Sequence, residues 1–322
     1  MKINCKVSYN LDVLCFLNAL SSNDYYVSRH KEAYDCFYPL LSDDIKVKIE
    51  GMVKWNKSPM FSPTFTLLIS AVPSFSDLCI YDLLGTHAEI KDGMDKTPYK
   101  FEDSEYSEIF TYFSDTVIPL IHELEDNGFK DYWNTVRLPI IRNKISELEA
   151  YFAQNNLEVH IREFKDIESD EMDVYICSFA NPHGIKLCGN TLLSDAAYSK
   201  ETILANITHE VFHPPYDYNE VTDYVDLLAK KDFVIKAFQE QDPLSGYSDM
   251  AGFIEEHIVE ALGTYIVYAI GVEKEPYEYF RKHDGGSHVL SPLFFKYILE
   301  HKRKPEQSMN DYFINFVRTA DL

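Results

Sequence analysis

The spacing of apolar residues divides the chain into two stretches. From Leu11 to about Asn155 it follows a helical period, clearest over Val13–Leu20, Tyr106–Leu124 and Trp133–Phe152, with Pro59, Pro63, Pro73 and a turn near Gly93 as punctuation. Beyond Asn156 the pattern shortens. Leu157 to Phe164 alternates apolar and polar residues, and Asp173–Phe179 and Gly184–Leu193 also read as strands. Helical spacing then returns through Ile203, Leu204, Ile207 and Val211, over Thr222–Glu240, and again from Gly252 to Tyr265. Helices first, then short strands, then helices predict an α+β fold. Its mainly helical half would span residues 1–155, and a small antiparallel sheet packed on helices would follow in 156–322. A single compact unit is the equal alternative.

Composition narrows the function. The 322 residues carry 30 Lys plus Arg against 52 Asp plus Glu, a formal charge of −22, which works against binding a nucleic-acid backbone or an anionic membrane. Asp12 and Asn18 interrupt the first apolar stretch and make it a poor signal peptide, and the run Phe65–Val72 is too short to span a bilayer. Six cysteines without C-x-x-C spacing read as reduced thiols, so a cytoplasmic location is expected. The aromatic cluster Tyr106, Phe110, Tyr112 and Phe113 reads as core packing.

The chemistry concentrates in Thr208-His209-Glu210-Val211-Phe212-His213. Residues four apart share one helix face, so both imidazoles can converge on one Zn²⁺ ion with Glu210 beside its water. Ser199 and Glu201 suit the start of that helix, and Pro214 and Pro215 stop it. Catalytic zinc usually takes three protein ligands and keeps one position open. The extended motif with a third His needs Gly at 216 and His or Asp at 219, where this chain has Tyr216 and Asn219, so that class is excluded. The helix that begins near Gly252 is the best candidate to supply the missing partner.

His-Glu-x-x-His followed by Glu on a second helix resembles the gluzincins, the thermolysin-like superfamily of zinc metallopeptidases. Glu256-His-Ile-Val-x-Ala also resembles an uncharacterised bacterial family of predicted peptidases. The resemblance covers roughly residues 184–268. It implies a zincin-like region with Glu256 as third ligand, Glu260 as the acceptor that orients a ligand His, Glu210 as general base and a peptide or protein as substrate. A rival register stays open: Glu260-Ala-Leu-Gly-Thr-Tyr-Ile-Val-Tyr resembles the corresponding stretch of the gluzincin aminopeptidases, which would make Glu260 the ligand. Glu256 is preferred because it leaves a carboxylate to orient a histidine. The 43 positions from His213 to Glu256 exceed the interval of many gluzincins, and the loop from Gln241 to Asp249 is a candidate to fold over the cleft. Tyr279 and His288, the latter closing the loop His283–His288, are candidate oxyanion donors. Peptidases of this kind hold substrate along a sheet edge, so Gly184–Leu193 is the candidate edge, with Cys188, Gly189 and Asn190 near substrate. The alternative function is a catalytically silent, zinc-stabilised binding or regulatory protein.

Overall fold

The computed structural model describes residues 2–97, 99, 101–165, 171–241, 247 and 249–320. The architecture is α+β, with helices dominating and one four-stranded sheet among the described residues. Two compact units emerge. One holds Ile3–Tyr151 and Glu171–Lys200; the other holds Met1–Lys2, Phe152–Asp170 and Glu201–Leu322. Residues 171–200 thus return to the first unit, which two consecutive regions meeting near 155 do not describe.

In the first unit the helix Tyr9–Leu20 is the centre. Every residue from Asn10 to Leu20 is buried, as expected of a helix that is apolar almost all round. The two polar residues that interrupt it are fully used. Asn18 reaches the start of the helix Ser62–Ser70: its Oδ1 accepts from the Phe61 and Ser62 amides at 2.7 and 3.0 Å, and its Nδ2 donates to Ser62 Oγ at 2.7 Å. It therefore caps a helix from a neighbouring one, satisfying amides that have no partner within their own helix. Asp12 accepts four hydrogen bonds, from Trp133 Nε1 at 2.7 Å, the Ser178 amide at 2.7 Å, Ser178 Oγ at 2.8 Å and the Phe179 amide at 3.0 Å.

The long helical stretches of this unit each contain a wider turn. Asp103–Tyr112 continues through a π-turn at Phe113–Val117 into Ile118–Asp126, and Phe129–Tyr132 continues through Trp133–Arg137 into Leu138–Asn155. Pro119 and Pro139 lie two residues past the ends of these turns. Proline lacks an amide proton and its ring clashes with the carbonyl four residues back, so a turn bonded over five residues lets the helix pass it. Of the four aromatics read as core, Tyr106 and Phe113 are buried here and Phe110 and Tyr112 half-buried.

The sheet is mixed, where an antiparallel one was expected. Its strands are β1 (Lys2–Lys6), β2 (Glu171–Cys177), β3 (Ile185–Lys186) and β4 (Thr191–Asp195), in the order β1-β2-β4-β3. β2 runs parallel to β4 with Asp173 opposite Thr191, and β3 runs antiparallel to β4 with Ile185 opposite Leu193. β3 reverses the chain between β2 and β4, which returns β4 in the direction of β2. Contacts of β2 with Tyr9–Leu20 and of β3 with Ser62–Ser70 place the sheet among the helices of the first unit.

Gly184–Leu193 is accordingly not one edge strand. It is a hairpin whose turn passes through Gly189 at φ +66°, a conformation that glycine adopts without strain. Leu157–Phe164 is likewise helical over Leu157–Arg162. Leu157, Ile161 and Phe164 are buried at spacings of four and three, while Val159 is 62 % exposed, so the apparent alternation rested on a surface valine.

Apart from Lys2, which opens β1, the regular structure of the second unit is helical among its described residues. Its main elements are Lys200–Glu210, Tyr218–Ala229, Asp232–Glu240, Met250–Ala269, Pro276–Lys282, Ser291–Glu300 and Met309–Thr319. The expected helix Thr222–Glu240 is thus two helices, parted at Lys230 and Lys231. Of the loop placed over the cleft, Asp242–Gly246 and Ser248 lie outside the described residues. No helix among the described residues is long and apolar enough to cross a membrane.

Candidate metal centre

Two helices of the second unit build the site. The first, Lys200–Glu210, buries Ile203, Leu204, Ile207 and Thr208. It ends three residues before His213, and the chain tightens there: the Phe212 and His213 amides donate to the carbonyls of His209 and Glu210, three residues back. Pro214 explains the early end, because the residue before proline disfavours the helical conformation. The Lys165 amine donates to the Val211 carbonyl, placing a cation at the negative end of the helix.

The second helix, Met250–Ala269, starts at Asp249, whose side chain accepts from the Gly252 amide at 2.8 Å. It presents Glu255, Glu256 and Glu260 towards the histidines. Gly263 sets how closely the two helices approach. A Cβ at Gly263 would lie 3.1 Å from the Thr208 carbonyl oxygen and 3.2 Å from both His209 Cα and the His209 amide nitrogen. Backbone cannot yield as a flexible side chain does, so any side chain at this position pushes the helices apart. Gly263→Val is expected to destabilise the second unit by about 1–3 kcal/mol and to weaken zinc binding, checked by calorimetric zinc titration; wild-type affinity in a folded variant would refute the role.

His209 Nε2 and His213 Nε2 are 3.2 Å apart. Glu256 closes the triangle, with Oε1 2.9 Å from His209 Nε2 and Oε2 3.6 Å from His213 Nε2. Bonds of about 2.0–2.1 Å at tetrahedral angles hold neighbouring donor atoms about 3.3 Å apart, so these separations suit one zinc ion. The other ring nitrogens are held from behind. His209 Nδ1 is 3.1 Å from Glu260 Oε2, and His213 Nδ1 is 3.1 Å from Glu255 Oε1. Protons on both Nδ1 atoms leave both Nε2 lone pairs to face the common point, the tautomer of a metal ligand. The three side chains keep 22, 18 and 16 % of their surface exposed, so the site is open on one side.

Charge follows from this geometry. Burial opposes a charged ring at His209, yet hydrogen bonds to Glu256 and Glu260 overcome it and hold its pKa well above the usual value. The same contacts hold both carboxyls down at about 2 although burial pushes them up. Without metal, a proton on His209 occupies the position a cation would take. Zinc must displace that proton, so its affinity is expected to rise with pH, by up to about tenfold per unit, over about pH 6–8. Zinc titrations at several pH values measure this, and a flat affinity would show His209 to be neutral.

Glu210 is half-buried, and no described residue hydrogen-bonds or ion-pairs with its carboxylate. Glu260 is buried behind His209, where Thr264 Oγ1 donates to its Oε1 at 3.1 Å. Glu255 went unnoticed in the sequence. The signal was the second histidine, whose Nδ1 also needs an acceptor, and the acidic neighbour of Glu256 supplies it.

The remaining candidates divide between the two units. Cys188, Gly189 and Asn190 form the hairpin turn in the first unit, where the Cys188 amide donates to Ser70 Oγ and the Asn190 carbonyl accepts from the Asp173 amide. The Cys188 amide and the Asn190 carbonyl are thus already engaged within the first unit. Tyr279 stacks on His283 with ring centres 4.9 Å apart. His288 is buried beside His257, and is grouped with Glu260 and His283.

Comparisons with protein-family models, with curated proteins and with solved structures each return no match.

Proposed function

We propose that this protein is a zinc-dependent hydrolase, a metallopeptidase, in which His209, His213 and Glu256 hold one Zn²⁺ ion and Glu210 is the general base. The observation that carries the reading is the convergence of two Nε2 atoms and one carboxylate within 2.9–3.6 Å, with both Nδ1 atoms held by further carboxylates. A structural zinc site is usually closed by four protein ligands, whereas three ligands on an open face suit catalysis. Bound zinc supplies Lewis acidity and a water whose pKa is lowered towards neutrality.

The chain's own groups do the rest. Glu210 takes a proton from the attacking water and returns it to the leaving amine. Its lack of a partner keeps the carboxylate available for both transfers. Glu260 and Glu255 fix the ring orientations and favour the ligand tautomer. Glu256 faces the shared point while Glu260 lies at the far nitrogen of His209, which supports Glu256 as ligand and Glu260 as the orienting acceptor. A peptide as substrate rests on the resemblance to gluzincins.

Zinc analysis of the purified protein, joined to cleavage of a diverse peptide library read by mass spectrometry, tests the proposal. Zinc bound through His209, His213 and Glu256 together with chelator-sensitive cleavage is the expected result. A protein that binds no zinc at this cluster overturns it.

A further inference from the structure

We propose that Glu260, His283 and His288 form a second divalent-cation site, separate from the cluster of His209, His213 and Glu256. One ligand atom from each of the three residues lies within 4.8 Å of the others. His283 Nε2 stands 3.7 Å from Glu260 Oε2. Two imidazoles and a carboxylate are a donor set for zinc and for neighbouring first-row dications.

The local chain brings these residues together. The helix Pro276–Lys282 runs into a tight turn over His283–Gly286, in which Gly285 and Gly286 have φ of +66° and +78°. A Cβ at Gly286 would come 2.9 Å from the Arg281 carbonyl oxygen, so glycine is required for the turn to close. That closure returns His288 to the carboxylate that His283 also faces. Glu260 and His288 are only 5 and 1 % exposed, so a cation here would be held away from competing water.

An approach from solvent exists. His283 lies on the wall of an open cleft of about 380 Å³ that Glu273, Glu275, Glu278, Tyr279 and Lys282 also line. Glu278 is paired with Arg281 and Lys282. Glu273 and Glu275 add negative charge along the same wall. Glu260 is shared between this cluster and His209, whose Nδ1 it holds at 3.1 Å, so the two sites are joined through one carboxylate. The inference does not depend on hydrolysis, because neither cluster takes a ligand from the other.

The test counts metal. Full-length protein is stripped, equilibrated with zinc and analysed for bound ions by mass spectrometry, with calorimetric titration of zinc alone. Wild type is expected to bind two ions per chain. His283→Ala and His283→Gln, at a residue 35 % exposed and so tolerant of change, are each expected to bind one. Glu256→Gln should lose the other ion, and the double variant with His283→Ala should bind none. Two ions retained in both His283 variants would overturn the second site, as would a single wild-type ion that only Glu256→Gln removes. That last result leaves the hydrolase reading standing. A single ion removed only by the His283 variants would support this site and sink the first, whereas no bound zinc would end both.

Discussion

Glu210→Gln is expected to keep its zinc and lose hydrolysis, with kcat falling by about 10²–10⁴. The change replaces one oxygen by an amide nitrogen of nearly the same size, and no described residue bonds to this carboxylate, so nothing in the fold depends on its charge. The three groups proposed to hold zinc, His209, His213 and Glu256, are untouched, and zinc content is therefore a control within the same experiment. What disappears is the only group of the motif free to accept a proton. Rates with a substrate found in the library, measured beside bound zinc, decide the matter. Unchanged hydrolysis at full zinc occupancy would remove Glu210 from the mechanism, and a wild type that binds zinc but cleaves nothing would leave a zinc-stabilised binding protein. Glu256→Gln makes the contrast, since it is expected to lose activity together with the metal.

Asp12→Ala is expected to be the most damaging single change in the first unit, costing about 3–5 kcal/mol. The substitution strands the Trp133 indole N–H, two backbone amides and the Ser178 hydroxyl in a site with no exposure to water. Burial pushes the Asp12 carboxyl up to about 6 even against these four donors. Its native pKa lies above the unfolded value, so the stability it contributes is complete below about pH 4 and is lost as pH rises through about 6. The gap between wild type and variant should therefore be wider at pH 4.5 than at pH 7. Both tryptophans, Trp55 and Trp133, belong to the first unit, so urea unfolding followed by tryptophan fluorescence reports on it selectively. A loss below about 1 kcal/mol would show that water replaces the carboxylate.

Sequence reasoning reached different depths in different places. The 3.6-residue period located the helices around Tyr9–Leu20, Lys200–Glu210 and Met250–Ala269, because burial along a helix repeats locally. It misread Leu157–Phe164, where Val159 happened to complete an alternating pattern but points to solvent. Asp12 and Asn18 were visible as interruptions of an apolar stretch. Their partners Trp133, Ser178 and Ser62 lie dozens of residues away and nothing local announces them.

The site divides in the same manner. The spacing of His209 and His213 made the pair legible, although only His209 lies on the helix and the tighter turn after Glu210 brings His213 beside it. The acidic pair Glu256 and Glu260 was legible as a source of partners. Which carboxylate faces which ring nitrogen depends on how two helices cross. That crossing is set by the backbone contact at Gly263, a residue with no chemistry of its own. Glu255 behind His213 and the return of His283 and His288 to Glu260 follow from the same packing and from a glycine turn. The sequence by itself thus determined the local periodicities, the charge balance and the His-Glu-x-x-His spacing, all of which are fixed by neighbours within a few residues. Only the tertiary structure decided the mixed sheet, the partners of Asp12 and the set of carboxylates around the histidines, because each depends on contacts between residues far apart in the chain.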